Sequence, residues 1–206
     1  EIPFLSEEKI EEKIVSVFDF KDRKDIEYCI TTEELVNAIK RQYNVEFLFE
    51  QNLYDELGYC NFKDNLIAIS SESEFDTPRW RFTLAHEIGH YILHKDLYNK
   101  YNISVVSDDK YTFNKLSNTL VKKLEIQANK FASLLLLPYE ALAQKYSYLH
   151  NELFQGRKYP FLYVDKQRDN IRNYNYIAGS ISRSFGVSKE VVKNRLLKMN
   201  ILIWNL

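Results

Sequence analysis

Apolar side chains recur at three- and four-residue intervals in several parts of the chain, which predicts amphipathic helices. Residues 6–20 carry such a face. Thr31 and Glu34 are spaced as a capping box, which predicts the start of a second helix that continues to about Tyr43. Longer helices are predicted over residues 79–98, 118–137 and 138–154, the first of them preceded by Thr77 as N-cap and Pro78 as first helical residue.

Shorter segments rich in β-branched and aromatic residues predict a small sheet. Residues 45–49 and 66–70 have this character, and residues 58–62 are the predicted hairpin partner of the latter. The polar segment 99–119 is either a functional lid or a passive connector, and the pattern does not decide between them. Helices with a small sheet predict an α+β fold, with one domain over residues 1–157 and a helical segment over residues 158–206.

Histidines are concentrated in one predicted helix. Three of the four, His86, His90 and His94, lie there, and the first two belong to the sequence His-Glu-Ile-Gly-His. Residues four apart share a helical face, so the imidazoles of His86 and His90 can reach one ion while Glu87 addresses its bound water. This H-E-x-x-H motif is typical of zinc peptidases. The alternative is an ordinary amphipathic helix whose histidines form hydrogen bonds in the core.

A catalytic zinc needs a third protein ligand. Asp96 stands where metzincins place theirs, but Leu93 replaces the glycine that would turn the chain, so the helix is expected to carry Asp96 away. His94 lies about 12 Å along the axis from His86 and is predicted to support the site from outside or to lie at the helix end. The better candidate is Glu125, which shares a stripe with small residues that allow a close helix approach.

Two segments, which follow one another along the chain in the same order as in a known family, carry a resemblance to that family. Residues 81–94, Arg-Phe-Thr-Leu-Ala-His-Glu-Ile-Gly-His-Tyr-Ile-Leu-His, and residues 125–138, from Glu125 through Ala128 and Asn129 to Pro138, closely resemble the ImmA/IrrE metallopeptidases. Leu137 stands where methionine is usual, a swap that conserves volume. The resemblance implies a zincin-like fold in which His86, His90 and Glu125 bind zinc and Glu87 is the catalytic base.

The resemblance also implies a substrate class and a way of binding it. The expected substrate is a specific protein, usually a helix-turn-helix repressor, whose cleavage derepresses a mobile element or a stress response. The strand before the motif helix is expected to border the cleft and pair with the substrate backbone; its residues are Asn65, Leu66, Ile67, Ala68, Ile69 and Ser70. The alternative for this strand is an ordinary internal position in the sheet.

The C-terminal part resembles a helix-turn-helix, with Gly186 at the turn and Ser188 as the second N-cap. Four basic residues give the second helix a predicted positive face: Lys189, Lys193, Arg195 and Lys198. The ImmA/IrrE proteins that the chain resembles commonly carry such a segment after the peptidase core. The resemblance therefore implies a structural or substrate-docking role, and direct DNA binding stays the alternative.

Composition narrows the function class. The net charge is −1 and 45% of residues are hydrophobic, which indicates a globular protein without an overall nucleic-acid signature. No segment is long enough to span a membrane, and nothing at the start of the chain resembles a secretion signal. Cys29 and Cys60 are predicted to be reduced thiols in a cytoplasmic protein.

The rival function is a metal-binding regulator or toxin–antitoxin component that acts by binding alone, although such a protein would not need Glu87.

Overall fold

The structure is a computed structural model that describes residues 5–18, 29–50, 53, 57–71, 75–101, 103–107, 117–155 and 160–206. Within these residues the helices are α1 (Glu7–Val17), α2 (Thr32–Tyr43), α3 (Pro78–Lys100), α4 (Asn118–Leu136), α5 (Tyr139–Phe154), α6 (Arg168–Phe185) and α7 (Lys189–Lys198). The strands are β1 (Glu46–Glu50), β2 (Gly58–Asn61), β3 (Leu66–Ser70), β4 (Val105–Ser107), β5 (Leu162–Val164) and β6 (Leu202–Trp204). This combination of helices and strands confirms the predicted α+β fold class.

The chain forms two compact units. The first consists of residues 1–22 and 30–135, and the second of residues 23–29 and 136–206. The units divide earlier than residue 157 because α5 packs against α6 of the second unit. The domain boundary predicted after residue 157 stays a prediction, and residues 156–159 around it lie outside the described residues.

A mixed four-stranded sheet in the order β1-β3-β2-β4 organises the first unit. β1 pairs with β3 in parallel, and β2 pairs antiparallel with both β3 and β4. The hairpin predicted between residues 58–62 and 66–70 is therefore confirmed. β4 arises from the predicted connector 99–119, of which residues 102 and 108–116 are outside the described residues.

Local sequence signals fix the first residues of helices α2 and α3. Thr31 and Glu34 form the predicted capping box of α2, with both reciprocal hydrogen bonds present. The hydroxyl of Thr77 accepts from the backbone N–H of Trp80, and Pro78 is the first residue of α3. α3 then continues through Leu93 to Lys100 and packs against β2 and β3, burying Leu84 and Ile88 completely.

The second unit contains the predicted helix-turn-helix arrangement. α6 ends at Phe185, and the following Gly186 has a φ of 60°, the left-handed conformation that favours glycine. Ser188 then caps the start of α7. The arrangement is closed by a parallel pairing of β5, which precedes α6, with β6, which follows α7. The sequence pattern did not predict these two strands.

The predicted positive face of α7 is only partly present. The Arg195 side chain is buried, and the ammonium of Lys193 lies 3.9 Å from the centre of the Trp204 ring. Lys189 and Lys198 are the basic residues of α7 that stay exposed. Two of the four predicted charges are therefore used within the fold.

Candidate metal centre

The structure brings His86, His90 and Glu125 together. The Nε2 atoms of the two histidines are 2.9 Å apart. Glu125 lies between them, with Oε2 at 3.2 Å from Nε2 of His86 and Oε1 at 3.2 Å from Nε2 of His90. In a tetrahedral zinc site with bonds of ~2.0–2.2 Å, ligand atoms are separated by about 3.3–3.6 Å. The three residues therefore form a two-histidine, one-carboxylate donor set that fits a zinc ion after small side-chain movements.

The close approach of α3 and α4 depends on a glycine. A Cβ atom added at Gly89 would lie 3.1 Å from Cβ of Phe131 on α4, closer than most real contacts. Ala128 and Ala132, on the same side of α4, are completely buried. This packing places the carboxylate of Glu125 beside the imidazoles of α3. The predicted role of small residues in bringing the two helices together is confirmed.

Asp96 follows the expected path away from the site. α3 does not turn at Leu93, and Asp96 is exposed on its surface. In the described residues, His86, His90 and Glu125 form the one group of three or more candidate ligands whose donor atoms lie within 4.8 Å of one another.

A second layer of side chains orients the two imidazoles. Nδ1 of His86 lies 3.1 Å from Oδ1 of Asn129, and Nδ1 of His90 lies 3.1 Å from Nδ1 of His94. Nε2 of His94 in turn lies 3.0 Å from Oε1 of Gln127. His94 thus supports the site from outside, as predicted, whereas Gln127 was not singled out from the sequence.

These contacts select one consistent set of tautomers. If His90 binds a metal through Nε2, its proton is on Nδ1 and is donated to Nδ1 of His94. His94 then carries its proton on Nε2 and donates it to Gln127. Such outer hydrogen bonds typically fix ring orientation at metal sites. The arrangement requires a neutral His94, and burial lowers the pKa of His94 to about 3.

The charge of the third candidate ligand is also suited to a cation. Burial alone would raise the pKa of the Glu125 carboxyl group, but hydrogen bonds with His86 and His90 outweigh burial and hold it well below its usual range. The side chain of Glu125 remains 27% exposed, more than either histidine. The centre therefore combines an ionised carboxylate with two oriented imidazoles.

Glu87, the predicted base, projects from α3 toward strand β2. Its exposed fraction is 2%, and the thiol of Cys60 lies 3.3 Å from its Oε2 atom. This contact of Cys60 with the carboxylate was not predicted, because the position of β2 against α3 is set by tertiary packing.

The strand predicted to bind substrate does not have the predicted position. β3 has β1 on one side and β2 on the other, so its backbone has no open edge for a peptide, and the edges of the sheet are β1 and β4. Ile67, Ala68, Ile69 and Ser70 are buried. Asn65 precedes the strand, and its Oδ1 accepts from the hydroxyl of Tyr91. The expectation of an edge strand was therefore wrong, since the parallel partner β1 could not be inferred from local alternation.

Comparison with known proteins decides the family. A peptidase family described as "IrrE N-terminal-like domain" matches residues 42–197, which include every residue of the centre. The chain belongs to this family. The resemblance to ImmA/IrrE metallopeptidases is thereby confirmed, and the His86, His90 and Glu125 cluster lies inside the matched domain.

A solved structure supports the fold of this IrrE-like domain. A Mycobacterium tuberculosis transcriptional regulator is similar to it with a TM-score of 0.54 at 14% sequence identity. The match covers 90% of this chain and 46% of the regulator, so the chain spans less than half of that protein. No match was found among proteins with curated descriptions.

Within the described residues, none of the helices combines the length and apolar character that crossing a membrane requires.

Proposed function

We propose that this IrrE-like protein is a zinc-dependent endopeptidase. The observation that carries the proposal is the cluster of His86, His90 and Glu125. Glu87 follows His86 directly in α3 and supplies a further carboxylate. Two imidazoles and one carboxylate are the ligands of known zinc peptidases. A zinc ion held there would lower the pKa of a bound water from 15.7 to about 7 and polarise the scissile carbonyl group.

The chain's own residues supply the proton chemistry and the orientation. Glu87 accepts the proton of the attacking water and delivers it to the leaving amine. Asn129 and His94 hold the imidazoles of His86 and His90 so that their Nε2 atoms face Glu125. The burial of Glu87 restricts bulk water around the carboxylate.

The proposed substrate is a specific protein, a helix-turn-helix repressor whose cleavage derepresses a mobile-element or stress-response programme. The support for this substrate is the family and the motif resemblance. We also propose that the protein acts in the cytoplasm, where thiols such as Cys29 and Cys60 stay reduced. The helix-turn-helix-like segment is proposed to have a structural or docking role rather than to bind DNA. Lys193 and Arg195 are engaged within the fold, which leaves few exposed cations on α7 to contact phosphates.

A binding-only regulator or toxin–antitoxin component is the rival proposal. Such a protein needs metal ligands but no base, and the buried Glu87 speaks against it.

Glu87→Gln separates the two proposals because it keeps the side-chain shape and the three ligands but cannot accept a proton. Wild-type and variant proteins loaded with zinc would be incubated with repressors encoded beside the gene and with a proteome-derived peptide library. Mass spectrometry would identify the cleavage products. Glu12→Gln, which changes an exposed carboxylate on α1, is the matched control.

We expect the wild type and Glu12→Gln to give the same defined fragments. Glu87→Gln should bind equal zinc and lose about 10²–10⁴-fold in cleavage rate, as is typical for removal of a general base. Derepression or growth arrest in cells should disappear with this variant. If that cellular output persists undiminished in Glu87→Gln, hydrolysis is not the function and the binding-only proposal replaces it.

A further inference from the structure

Strand β2 presents a thiol to the carboxylate that we propose as the base. Sγ of Cys60 lies 3.3 Å from Oε2 of Glu87 and 3.0 Å from its backbone carbonyl oxygen. Cys60 is completely buried. A thiol can donate one proton, and a carboxylate oxygen attracts it more strongly than a neutral acceptor because the bond is charge-assisted.

The neighbouring residue of the same strand leaves room for this contact. Gly58 lies two positions before Cys60 and therefore on the same face of β2. A Cβ atom added at Gly58 would be 3.0 Å from Cγ of Glu87 and 3.1 Å from the backbone oxygen of Ala68. The stem of the Glu87 side chain therefore rests against the bare backbone of Gly58, while its carboxylate meets the thiol.

The thiol is held in the form that donates. Burial raises the pKa of Cys60 well above its ordinary value, and the charge of Glu87 raises it further. A thiolate at this position would repel the carboxylate, whereas a protonated thiol stabilises it.

From this geometry we propose that Cys60 is a positioning residue, whose S–H group donates to Oε2 of Glu87 and fixes the carboxylate for proton transfer. The inference deepens the proposed peptidase function and rests on it. It assigns to β2 a role beyond pairing, in which Gly58 admits the Glu87 side chain and Cys60 orients its end.

The hydrogen bond can be tested without any substrate. Cys29→Ala removes the other thiol of the chain, so the infrared S–H stretching band then reports Cys60 alone. Adding Glu87→Gln in this background replaces the charged acceptor by a neutral amide. We expect the band to move to higher wavenumber, as for a weaker hydrogen bond. An unchanged band would show that the thiol donates to the backbone carbonyl, which would overturn the proposal.

The catalytic consequence is tested by a pair of substitutions. Cys60→Ser keeps a donor of similar size and Cys60→Ala removes it, while Cys29→Ala is the matched control elsewhere in the chain. The probe is a fluorogenic peptide that contains a cleavage sequence identified with the wild-type protein. A net hydrogen bond of about 1 kcal/mol corresponds to a change of about fivefold, and one to a charged group to more.

We expect Cys60→Ala to lower kcat by about five- to tenfold with KM and zinc content unchanged. Cys60→Ser should remain within about twofold of the wild type. The proposal fails if serine and alanine are equally impaired, or if neither changes kcat. If the wild type cleaves nothing, the peptidase function is wrong, and the infrared comparison still decides whether the thiol binds the carboxylate.

Discussion

Replacing His94 by leucine tests how much the outer hydrogen bonds contribute to metal binding. His94 is 2% exposed and links Nδ1 of His90 to Oε1 of Gln127 at 3.1 and 3.0 Å. Leucine fills a similar volume without an acceptor. In the metal-bound protein the buried Nδ1–H group of His90 would then lose the acceptor that His94 supplies.

The size of the effect follows from which state loses the hydrogen bond. Without metal, His90 can carry its proton on Nε2, 3.2 Å from Oε1 of Glu125, so the loss is partly avoided. With metal on Nε2 the proton must be on Nδ1, and a buried unsatisfied donor costs about 1–3 kcal/mol. This difference corresponds to zinc affinity about 5- to 150-fold weaker. Removal of outer-shell partners at metal sites has effects of about 10- to 100-fold.

The assay is competition for zinc with a chromogenic chelator, with folding checked by circular dichroism. His150→Leu is the matched control, because it removes a buried histidine of the second unit. We expect the control to bind zinc as tightly as the wild type. A folded His94→Leu variant with wild-type zinc affinity would refute the argument that the relay from Gln127 to His90 supports the metal.

Two further predictions concern the third ligand and the pH dependence of stability. Glu125→Gln should weaken zinc binding because the amide brings no charge. Asp96→Asn should retain zinc binding, since Asp96 is exposed and outside the cluster. The opposite result in equilibrium dialysis would favour the metzincin-like ligand set. Burial lowers the pKa of His150, so the unfolded chain takes up a proton near pH ~6.5 before the folded protein does. The contribution of neutral His150 to the free energy of unfolding is therefore complete above that pH and is lost as the pH falls below it. Between pH ~8 and ~5.5, the urea midpoint of His150→Leu should fall less than that of the wild type. Parallel pH profiles for the two proteins would contradict this assignment.

The centre could be predicted largely because its signals are local. The four-residue spacing of His86 and His90 fixes their common face once a helix is present. Because Leu93 stands where metzincins have glycine, α3 was predicted to continue past it, and the structure shows that it does. This prediction correctly excluded Asp96 as a ligand. The long-range pairing with Glu125 needed the family pattern as well, since a single glutamate on a helix is usually a solvated charge.

The remainder depended on contacts that no local pattern encodes. The internal position of β3 follows from its parallel pairing with β1, which joins segments separated by a hairpin strand. Cys60 and Gln127 meet the centre only after β2 and α4 have packed on α3. The charges of α7 were overestimated because burial of Arg195 and the contact of Lys193 with Trp204 depend on the rest of the second unit.

The division of the ligands between α3 and α4 has a consequence for the chain that joins them. A metal held by His90 and Glu125 closes a loop that contains β4 and residues 108–116. The entropy lost in closing a chain segment grows only with the logarithm of its length, at about 0.6 kcal/mol per doubling. Insertions between β4 and α4 therefore change the metal affinity little, provided that they leave the helix ends intact. A peptide that doubles the length of this connection should weaken zinc binding by no more than about threefold.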